Sequence, residues 1–201
     1  TQAQGDAVRS DPSFDGGKQP AGYLGEIAID CAKFEVSKSE IATLDPQQAL
    51  VLNCVDKLLS ENASIGQLPT ETGVYIGTWN GEFEGDRNSV FYPTGTNPSL
   101  LAARVSHVYR LSGPSKVINT ACASSLDAIL EAFRAIKSGV CDTAIAGGVN
   151  LLWDAEFSQC MKQSGFLAPG GRCRTFDGSA DGYVRSEGCG LVLLTRKDLC
   201  P

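Results

Sequence analysis

The stretch Val117-Ile-Asn-Thr-Ala-Cys-Ala-Ser-Ser-Leu126 places one cysteine between a β-branched run and an amphipathic segment. Residues 116–120 have the composition of a strand, and residues 125–138 carry apolar side chains at helical spacing before Gly139. The neighbours of Cys122 are alanine and serine. A sharp strand-to-helix turn needs small residues, because larger side chains would collide with the adjacent backbone. The segment therefore predicts a strand–turn–helix elbow with Cys122 at its tip.

A thiol at such an elbow lies beside the first turn of a helix, where backbone N–H groups have no intrahelical acceptor. These donors and the positive end of the helix dipole favour the thiolate over the thiol. The same donors suit the oxyanion of a tetrahedral intermediate. The residues alone leave two interpretations of Cys122 open, a reactive nucleophile and a buried structural cysteine.

The predicted helix over residues 125–138 has ordered charges and one apolar face. Asp127 and Glu131 come early and Arg134 and Lys137 come late, which complements the helix dipole. The large apolar side chains share the face that we predict to be buried: Leu126, Ile129, Leu130, Phe133 and Ile136.

Strand and helix signals alternate along the rest of the chain. Further strands are predicted at residues 23–29, 72–77, 143–148 and 190–195. Further helices are predicted from Asp45 to about residue 63, from Asn97 to about residue 111, and over residues 154–163. Asp45 is the expected N-cap of the first of these, with Gln48 completing a capping box. The alternation predicts an α/β fold, a mostly parallel sheet flanked by helices.

The remaining segments are predicted to be irregular. Residues 1–20 are expected to be a flexible lead, and residues 79–96 and 165–188 to be long loops. The rest of the chain, residues 21–201, is expected to form one domain.

Composition excludes several classes of partner and site. The formal net charge of -6 and the lack of a basic block argue against a nucleic-acid partner. No apolar run is long enough for a membrane span. There is no CxxC pair and His107 is the single histidine, so no metal site is predicted and no directly bound cofactor is indicated. A Cys–His hydrolase is rejected because no general base is in a suitable place.

The chain has eight cysteines. Apart from Cys122 they are expected to be small buried hydrophobes, because a chain of this length and apolar content needs no disulfide staples. We therefore expect a reducing compartment, and the sequence does not distinguish the cytoplasm from an organelle.

Several collinear motifs over about residues 20–199 resemble the β-ketoacyl synthases. The segment around Cys122 is very similar to the active-site signature of that family. The other matching segments follow in the family's order: Leu44-Asp-Pro-Gln-Gln48, Thr72-Gly-Val-Tyr-Ile-Gly77, the stretch 104–115, Ala146-Gly-Gly-Val-Asn150 and the stretch 171–190. The last of these is closer to modular polyketide synthases than to stand-alone bacterial fatty-acid enzymes.

The resemblance implies half of a thiolase-like fold, which usually dimerises, and decarboxylative Claisen condensation. In that chemistry Cys122 accepts an acyl group from the phosphopantetheine of an acyl carrier protein, and a malonyl-derived carbanion then attacks the thioester. The phosphopantetheine is thus a substrate arm of the carrier. Residues 116–120 resemble the segment that pairs across the family's two-fold axis.

Other parts of the family pattern are not found in this chain. The family's first strand, which we expect to be central in the sheet, has no copy here. The C-terminal half, with two catalytic histidines and a lysine, is also not present, and we expect His107 to have a packing or surface role instead. That half normally covers the apolar stripe of the helix over residues 125–138, so we expect the stripe to meet water here unless a partner covers it. Asp177, Asp181, Arg185 and Glu187 match a charged block, for which a structural role in a loop is the preferred interpretation.

Two functions remain. The first is part of a β-ketoacyl synthase, inactive as an isolated chain and completed by a C-terminal half or another subunit. The second is a non-catalytic, synthase-like structural subunit of a larger assembly.

Overall fold

The computed structural model describes residues 8–10, 20–62, 67–79 and 81–199. The strands are β1 (Val8–Ser10), β2 (Pro20–Gly22), β3 (Gly73–Gly77), β4 (Ser115–Ile118), β5 (Thr143–Asn150) and β6 (Gly188–Thr195). The α-helices are α1 (Lys38–Ile41), α2 (Pro46–Glu61), α3 (Tyr92–Thr96), α4 (Leu100–Val108), α5 (Ser124–Lys137) and α6 (Ala155–Gln163). Single 3₁₀ turns lie at Ala121–Ala123 and Lys197–Leu199.

The main sheet has four strands in the order β4-β3-β5-β6. The strand β3 is parallel to both of its neighbours, with Val74 opposite Ser115 of β4 and Ile145 of β5. At one end of the β5–β6 pair the hydroxyls of Thr143 and Thr195 are 3.3 Å apart, and farther along Gly147 lies against Gly190. Residue numbers rise in one strand as they fall in the other, so β6 is antiparallel. The predicted α/β fold with a mostly parallel sheet is confirmed.

The sheet is continuous, and this corrects one expectation. A missing central strand would leave a gap, but β3 pairs directly with β4 and β5, and β6 follows β5. The expectation of a gap at the centre of the sheet is therefore wrong, whereas the prediction that the family's first strand is not present stays a prediction. Within the described part of the chain, β4 and β6 are the two edges of this sheet.

Helices cover both faces of the sheet. Side chains alternate along β3, so Val74 and Ile76 join one core cluster and Tyr75 joins another. The first cluster contains the inner faces of α2 and α4, including Val51, Leu52, Leu101 and Val105. The second lies under α5 and includes Ala128, Ala132, Ala144 and Ala146.

The helix α5 packs on the sheet through its small residues, and its apolar stripe is largely exposed, as expected where no second half covers it. Its buried residues are Ser124, Ala128, Ala132 and Ala135. The predicted stripe faces outward instead: Leu126 is 70%, Leu130 40% and Phe133 54% exposed, while Ile129 and Ile136 are partly buried against the core. The reason is spacing, because alanines on the helix and on β5 let the two backbones approach closely where leucine would hold them apart.

Several predicted boundaries change because long-range contacts decide them. Residues 23–29 are irregular, so the strand predicted there is wrong, and α3 lies inside the loop predicted over residues 79–96. Asp45 caps α2 as predicted, accepting the N–H of Gln47 at 2.8 Å. Gln48 does not complete a capping box, since its amide donates to the Gly95 carbonyl at 2.7 Å and its oxygen accepts from Arg104.

The predicted flexible lead over residues 1–20 lies largely outside the described residues. The part that is described includes β1, which pairs antiparallel with β2, Val8 lying opposite Gly22. No helix within the described ranges combines the length and apolarity needed to cross a membrane.

Contacts divide the chain into two compact units, residues 27–150 with 189–201, and residues 1–26 with 151–188. The second unit contains α6 and the charged block. Arg185 is only 5% exposed, donates to the Ser158 hydroxyl and lies over the Phe157 ring at 5.0 Å. Glu187 accepts the backbone N–H groups of Leu24 and Leu152 at 2.7 and 3.1 Å.

The other two carboxylates of the block also have local partners. Asp181 pairs with Arg174 at 3.0 Å, and Asp177 accepts the hydroxyl and the backbone N–H of Ser179 at 2.6 and 2.7 Å. The hydrogen bond from the hydroxyl, followed by that from the N–H, lowers the pKa of Asp177. The block thus holds a loop together, as the sequence favoured.

Candidate active site

Cys122 lies at the tip of the turn between β4 and α5. The strand ends at Ile118, the 3₁₀ turn Ala121–Ala123 follows, and α5 begins at Ser124. Cys122 is exposed. The predicted strand–turn–helix elbow is confirmed, and the alternative of a buried structural cysteine at this position is ruled out.

A ring of hydrogen bonds closes the turn around Cys122. The buried hydroxyl of Ser124 accepts the N–H of Thr120 at 2.9 Å and donates to the Ala121 carbonyl at 2.6 Å. The N–H of Ala123 donates to the Thr120 carbonyl at 3.2 Å. Because one hydroxyl both accepts and donates, the turn keeps one shape and Cys122 keeps its outward position.

Asn119 ties the turn to the segment that follows β3. Its side-chain amide donates to the Trp79 carbonyl at 2.6 Å, and its oxygen accepts the N–H of Ala121 at 3.2 Å. The N–H of Thr78 donates to the Ile118 carbonyl at 3.0 Å, which continues the β3–β4 pairing toward the elbow. These hydrogen bonds join the carboxyl ends of β3 and β4, and they hold the start of the turn that carries Cys122 in place.

The backbone is strained next to the thiol. Ala121 has a φ of 52°, in the left-handed region that non-glycine residues rarely adopt. Such a conformation costs about 1–3 kcal/mol and persists where the surroundings hold it in place, which is a common property of active sites. A methyl side chain keeps this cost low.

Two glycines let α5 begin directly above the sheet. A Cβ added at Gly77 would lie 2.5 Å from the Ser124 carbonyl oxygen and 2.6 Å from the Ser125 nitrogen. A Cβ added at Gly148 would lie 2.6 Å from the Ser125 Cβ. Any side chain at these positions would push the start of α5, and Cys122 with it, away from the strand ends.

The first turn of α5 has no side-chain cap, since its N-cap residue Ala123 has no side chain that could accept a hydrogen bond. The N–H of Ser124 donates to the Ala121 carbonyl of the preceding 3₁₀ turn. The positive end of the helix dipole favours negative charge in that turn. Asp127 is the one acidic residue in the first turn.

The other cysteines differ from expectation. Cys141 is buried, and burial raises its thiol pKa. Cys31, Cys54 and Cys189 are partly buried, and Cys160 and Cys173 are exposed. The prediction that all of them are buried is therefore wrong for these five, and Cys200 lies outside the described residues. All seven described cysteines are free thiols.

His107 is an exposed residue of α4. Its side chain is 76% exposed on α4, with Nε2 3.9 Å from a Glu35 carboxylate oxygen. The predicted surface role is therefore confirmed. The described ranges contain no group of three or more His, Cys, Asp or Glu side chains that could hold a metal ion.

Sequence reasoning found Cys122 but missed the residues that position it. From the sequence alone, Asn119 is part of a predicted strand, Ser124 is a small neighbour of Cys122, and Gly77 and Gly148 are the predicted ends of strands. The available signal was a glycine in each of two neighbouring strands, a common sign of close backbone approach.

Sequence comparison relates this chain to known proteins. Residues 3–199 match the family described as Beta-ketoacyl synthase, N-terminal domain. The chain is 38% identical over 177 residues to an orsellinic acid synthase of Armillaria mellea, covering 84% of this chain and 8% of that protein. It is 38% identical over 194 residues to a non-reducing polyketide synthase of Preussia isomera, covering 92% of this chain and 8% of that protein.

Solved structures give the same result. An oxazolomycin ketosynthase domain from Streptomyces albus superposes with a TM-score of 0.79 at 34% identity, covering 94% of this chain and 36% of that one. A ketosynthase from module 6 of the bacillaene synthase of Bacillus subtilis gives 0.78 at 31% identity, covering 89% and 31%. This chain thus spans about a third of those ketosynthase chains and less than a tenth of the polyketide synthases.

Proposed function

Because this chain belongs to the β-ketoacyl synthase family, we propose that it accepts an acyl group on Cys122 during the assembly of a polyketide or fatty-acid chain. The observation that carries the proposal is the exposed Cys122 thiol on a rigid elbow, at the uncapped start of α5. The similarity to polyketide synthases over most of the chain supports the same assignment.

The first step is a thioester exchange. The Cys122 thiolate attacks the carbonyl carbon of an acyl thioester, a C–S bond forms, and the carbonyl oxygen becomes an oxyanion. The donors at the start of α5 stabilise the negative charge. The carbonyl then re-forms, the carrier's thiolate leaves and takes a proton, and the acyl group remains on Cys122.

The acyl donor is an acyl carrier protein whose phosphopantetheine arm carries the thioester. The arm is a substrate and is not held as a cofactor. Two features favour a flexible arm: Cys122 is open to solvent, and the residues beside it are too small to obstruct a thioester chain. The carrier itself need not be buried for its arm to reach the thiol.

The second step needs groups from outside these residues. Condensation requires decarboxylation of a malonyl thioester, and His107, the single histidine, is exposed on α4 away from the elbow. We therefore assign decarboxylation to a complementary C-terminal half or another subunit. The exposed Leu126, Leu130 and Phe133 of α5 give that partner an apolar surface.

Dimer formation through β4 is part of the same proposal. The strand pairs with β3 along one side only, and Ser115 and Lys116 are exposed. An edge strand with a free side can pair with its own copy across a two-fold axis.

The test is acyl loading followed by mass spectrometry. The purified protein is incubated with an acylated carrier protein, digested, and searched for the acyl adduct. We expect the adduct on Cys122, none in Cys122→Ala, and normal loading in Cys160→Ala, which removes another exposed thiol. Release of labelled carbon dioxide from malonyl carrier is expected only when the complementary half is supplied.

The alternative is a structural subunit without chemistry, and the same experiment separates the two. If Cys122 acquires no acyl group in a correctly folded protein, with or without the complementary half, the synthase assignment fails and the scaffold role takes its place.

A further inference from the structure

A pair of thiols outside the candidate active site links α2 to β6. Cys54 lies in the middle of α2 and Cys189 at the start of β6, and both are partly buried. The Cys54 sulfur is 4.0 Å from the Cys189 carbonyl oxygen, to which its thiol donates. Leu50 and Leu58 of α2 pack on the same core as Leu191 of β6, so the two elements are held together around the pair.

The two thiols differ in their acidity. A hydrogen bond from the Cys189 thiol and the positive charge of Lys57 lower the pKa of Cys54 to about 7, against the opposing effect of burial. The hydrogen bond to Cys54 and burial raise the pKa of Cys189. The surroundings thus favour the thiolate at Cys54 and the protonated thiol at Cys189.

This arrangement is what a peroxide-sensitive thiol pair requires. The attacking group must be a thiolate, and a resolving thiol must be close enough to react with the first oxidation product. Cys54 is the more acidic thiol of the two, and Cys189 is the residue against which the Cys54 sulfur lies. Neither residue has a part in the elbow around Cys122.

We propose that Cys54 and Cys189 are a modification site, at which hydrogen peroxide produces an intramolecular disulfide between α2 and β6. The Cys54 thiolate attacks a peroxide oxygen, the S–O bond forms, and the O–O bond breaks with loss of hydroxide. Cys54 becomes a sulfenic acid. The Cys189 sulfur then attacks the Cys54 sulfur, and the S–S bond forms as water leaves with the thiol proton. In total, two thiols are oxidised and one peroxide is reduced to two waters.

The inference is independent of acyl transfer, and its test does not use activity. The native protein is treated with limiting hydrogen peroxide, free thiols are blocked with N-ethylmaleimide, and the non-reduced digest is analysed by mass spectrometry. We expect a peptide linking Cys54 to Cys189 that disappears on treatment with dithiothreitol. Its rate of formation should rise with pH through about 7, as Cys54 loses its proton.

Two comparisons complete the experiment. Protein unfolded in urea should give a mixture of linked cysteines, because the native contact no longer selects a partner. In Cys189→Ser the sulfenic acid has no resolving thiol, so dimedone should label Cys54 there and much less in the native protein. Cys141, whose burial raises its pKa, should stay reduced throughout.

The proposal is overturned if the folded native protein yields no Cys54–Cys189 peptide while other thiols are oxidised. It is also overturned if Cys54 is linked mainly to a different cysteine. Both results come from the native protein, so they remain decisive even if the Cys189→Ser variant folds poorly.

Discussion

The two faces of α5 are both apolar, but they are built from different residues. The inner face carries Ala128 and Ala132, both 0% exposed against the sheet. The outer face carries Leu126 and Phe133, which are 70% and 54% exposed. A stripe of large apolar residues on a helix therefore does not identify the face that packs on the helix's own sheet. In α5 the small residues contact the sheet, and the large residues lie on the exposed face, where a partner can bind.

The largest expected effect comes from disturbing the inner face at its N-terminal end. Gly77→Ala brings a methyl group against the Ser124 and Ser125 backbone, which cannot move without shifting α5. Overpacking usually costs about 1–3 kcal/mol, and a backbone clash belongs at the upper end. We expect the melting temperature to fall by roughly 6–12 °C and acyl loading on Cys122 to be lost.

The matched control for that variant is Gly190→Ala. A Cβ added there meets no atom within 4 Å. Its melting temperature should change by the equivalent of less than about 0.5 kcal/mol, as for an ordinary surface substitution. Equal effects of the two substitutions would show that Gly77 does not position the elbow.

The role of the outer face of α5 can be tested by measuring how tightly the chain associates with itself or with the complementary half. Phe133→Glu puts a charge in the exposed stripe of α5, and losing the burial of one such side chain is worth about 1.5–3 kcal/mol. We expect the dissociation constant for self-association, or for the complementary half, to rise roughly 10- to 100-fold. Sedimentation velocity and light scattering would measure it.

Val140→Glu is the corresponding control, since Val140 is 59% exposed but lies beyond the end of α5. It should leave association unchanged. A wild-type chain that is a soluble monomer with a sharp melt would contradict the view that the outer face needs a partner.

Adjacent residues allow a direct comparison of the two faces. Ala132→Leu adds carbon atoms to a fully buried position and should destabilise the fold by about 1–3 kcal/mol. Phe133→Ala, one residue later, should change the stability of the isolated chain by less than about 0.5 kcal/mol. Thermal melts of the two variants measure both losses of stability. A larger loss in Phe133→Ala than in Ala132→Leu would mean that α5 packs through its large residues.

The smallest effect concerns the thiol itself. Cys122 lies at the start of α5 and Cys160 in the second half of α6, and both are exposed. A helix terminus contributes about 0.3–1 kcal/mol to a nearby charge, so iodoacetamide should label Cys122 roughly two- to fivefold faster at neutral pH. Peptide mapping after short labelling times gives both rates. Labelling of Cys160 at the same rate would remove the helix terminus as a source of reactivity.

The alternation of strands and helices could be predicted from the sequence because it depends on local patterns. β-branched runs between glycines predicted β3 and β5, and an Asp-Pro pair predicted the start of α2. Local patterns failed where distant residues decide the outcome. Residues 23–29 resemble a strand but are irregular in the structure, and Gln48 resembles a capping residue but bonds Gly95 and Arg104.

The candidate site also has one part that local sequence predicts and another part that depends on distant residues. The position of Cys122 at an elbow is encoded in neighbouring residues and was predicted correctly. The positions of Gly77 and Gly148 under that elbow depend on strand order, which no local pattern contains. Periodicity gave the apolar stripe of α5 but not the alanine contact with the sheet, because it does not say which neighbour each face of a helix meets.

The residues that fix the shape of the elbow are different from the residue that carries its reactive group. The ring of hydrogen bonds around the elbow is made by Asn119, Thr120, Ala121 and Ser124, together with the N–H of Ala123, and the side chain of Cys122 has no part in it. A single codon change could therefore remove the thiol while the turn, the helix and the sheet stay intact. Descendants of such a chain can inherit the architecture without the reaction, and can regain the reaction by the reverse change.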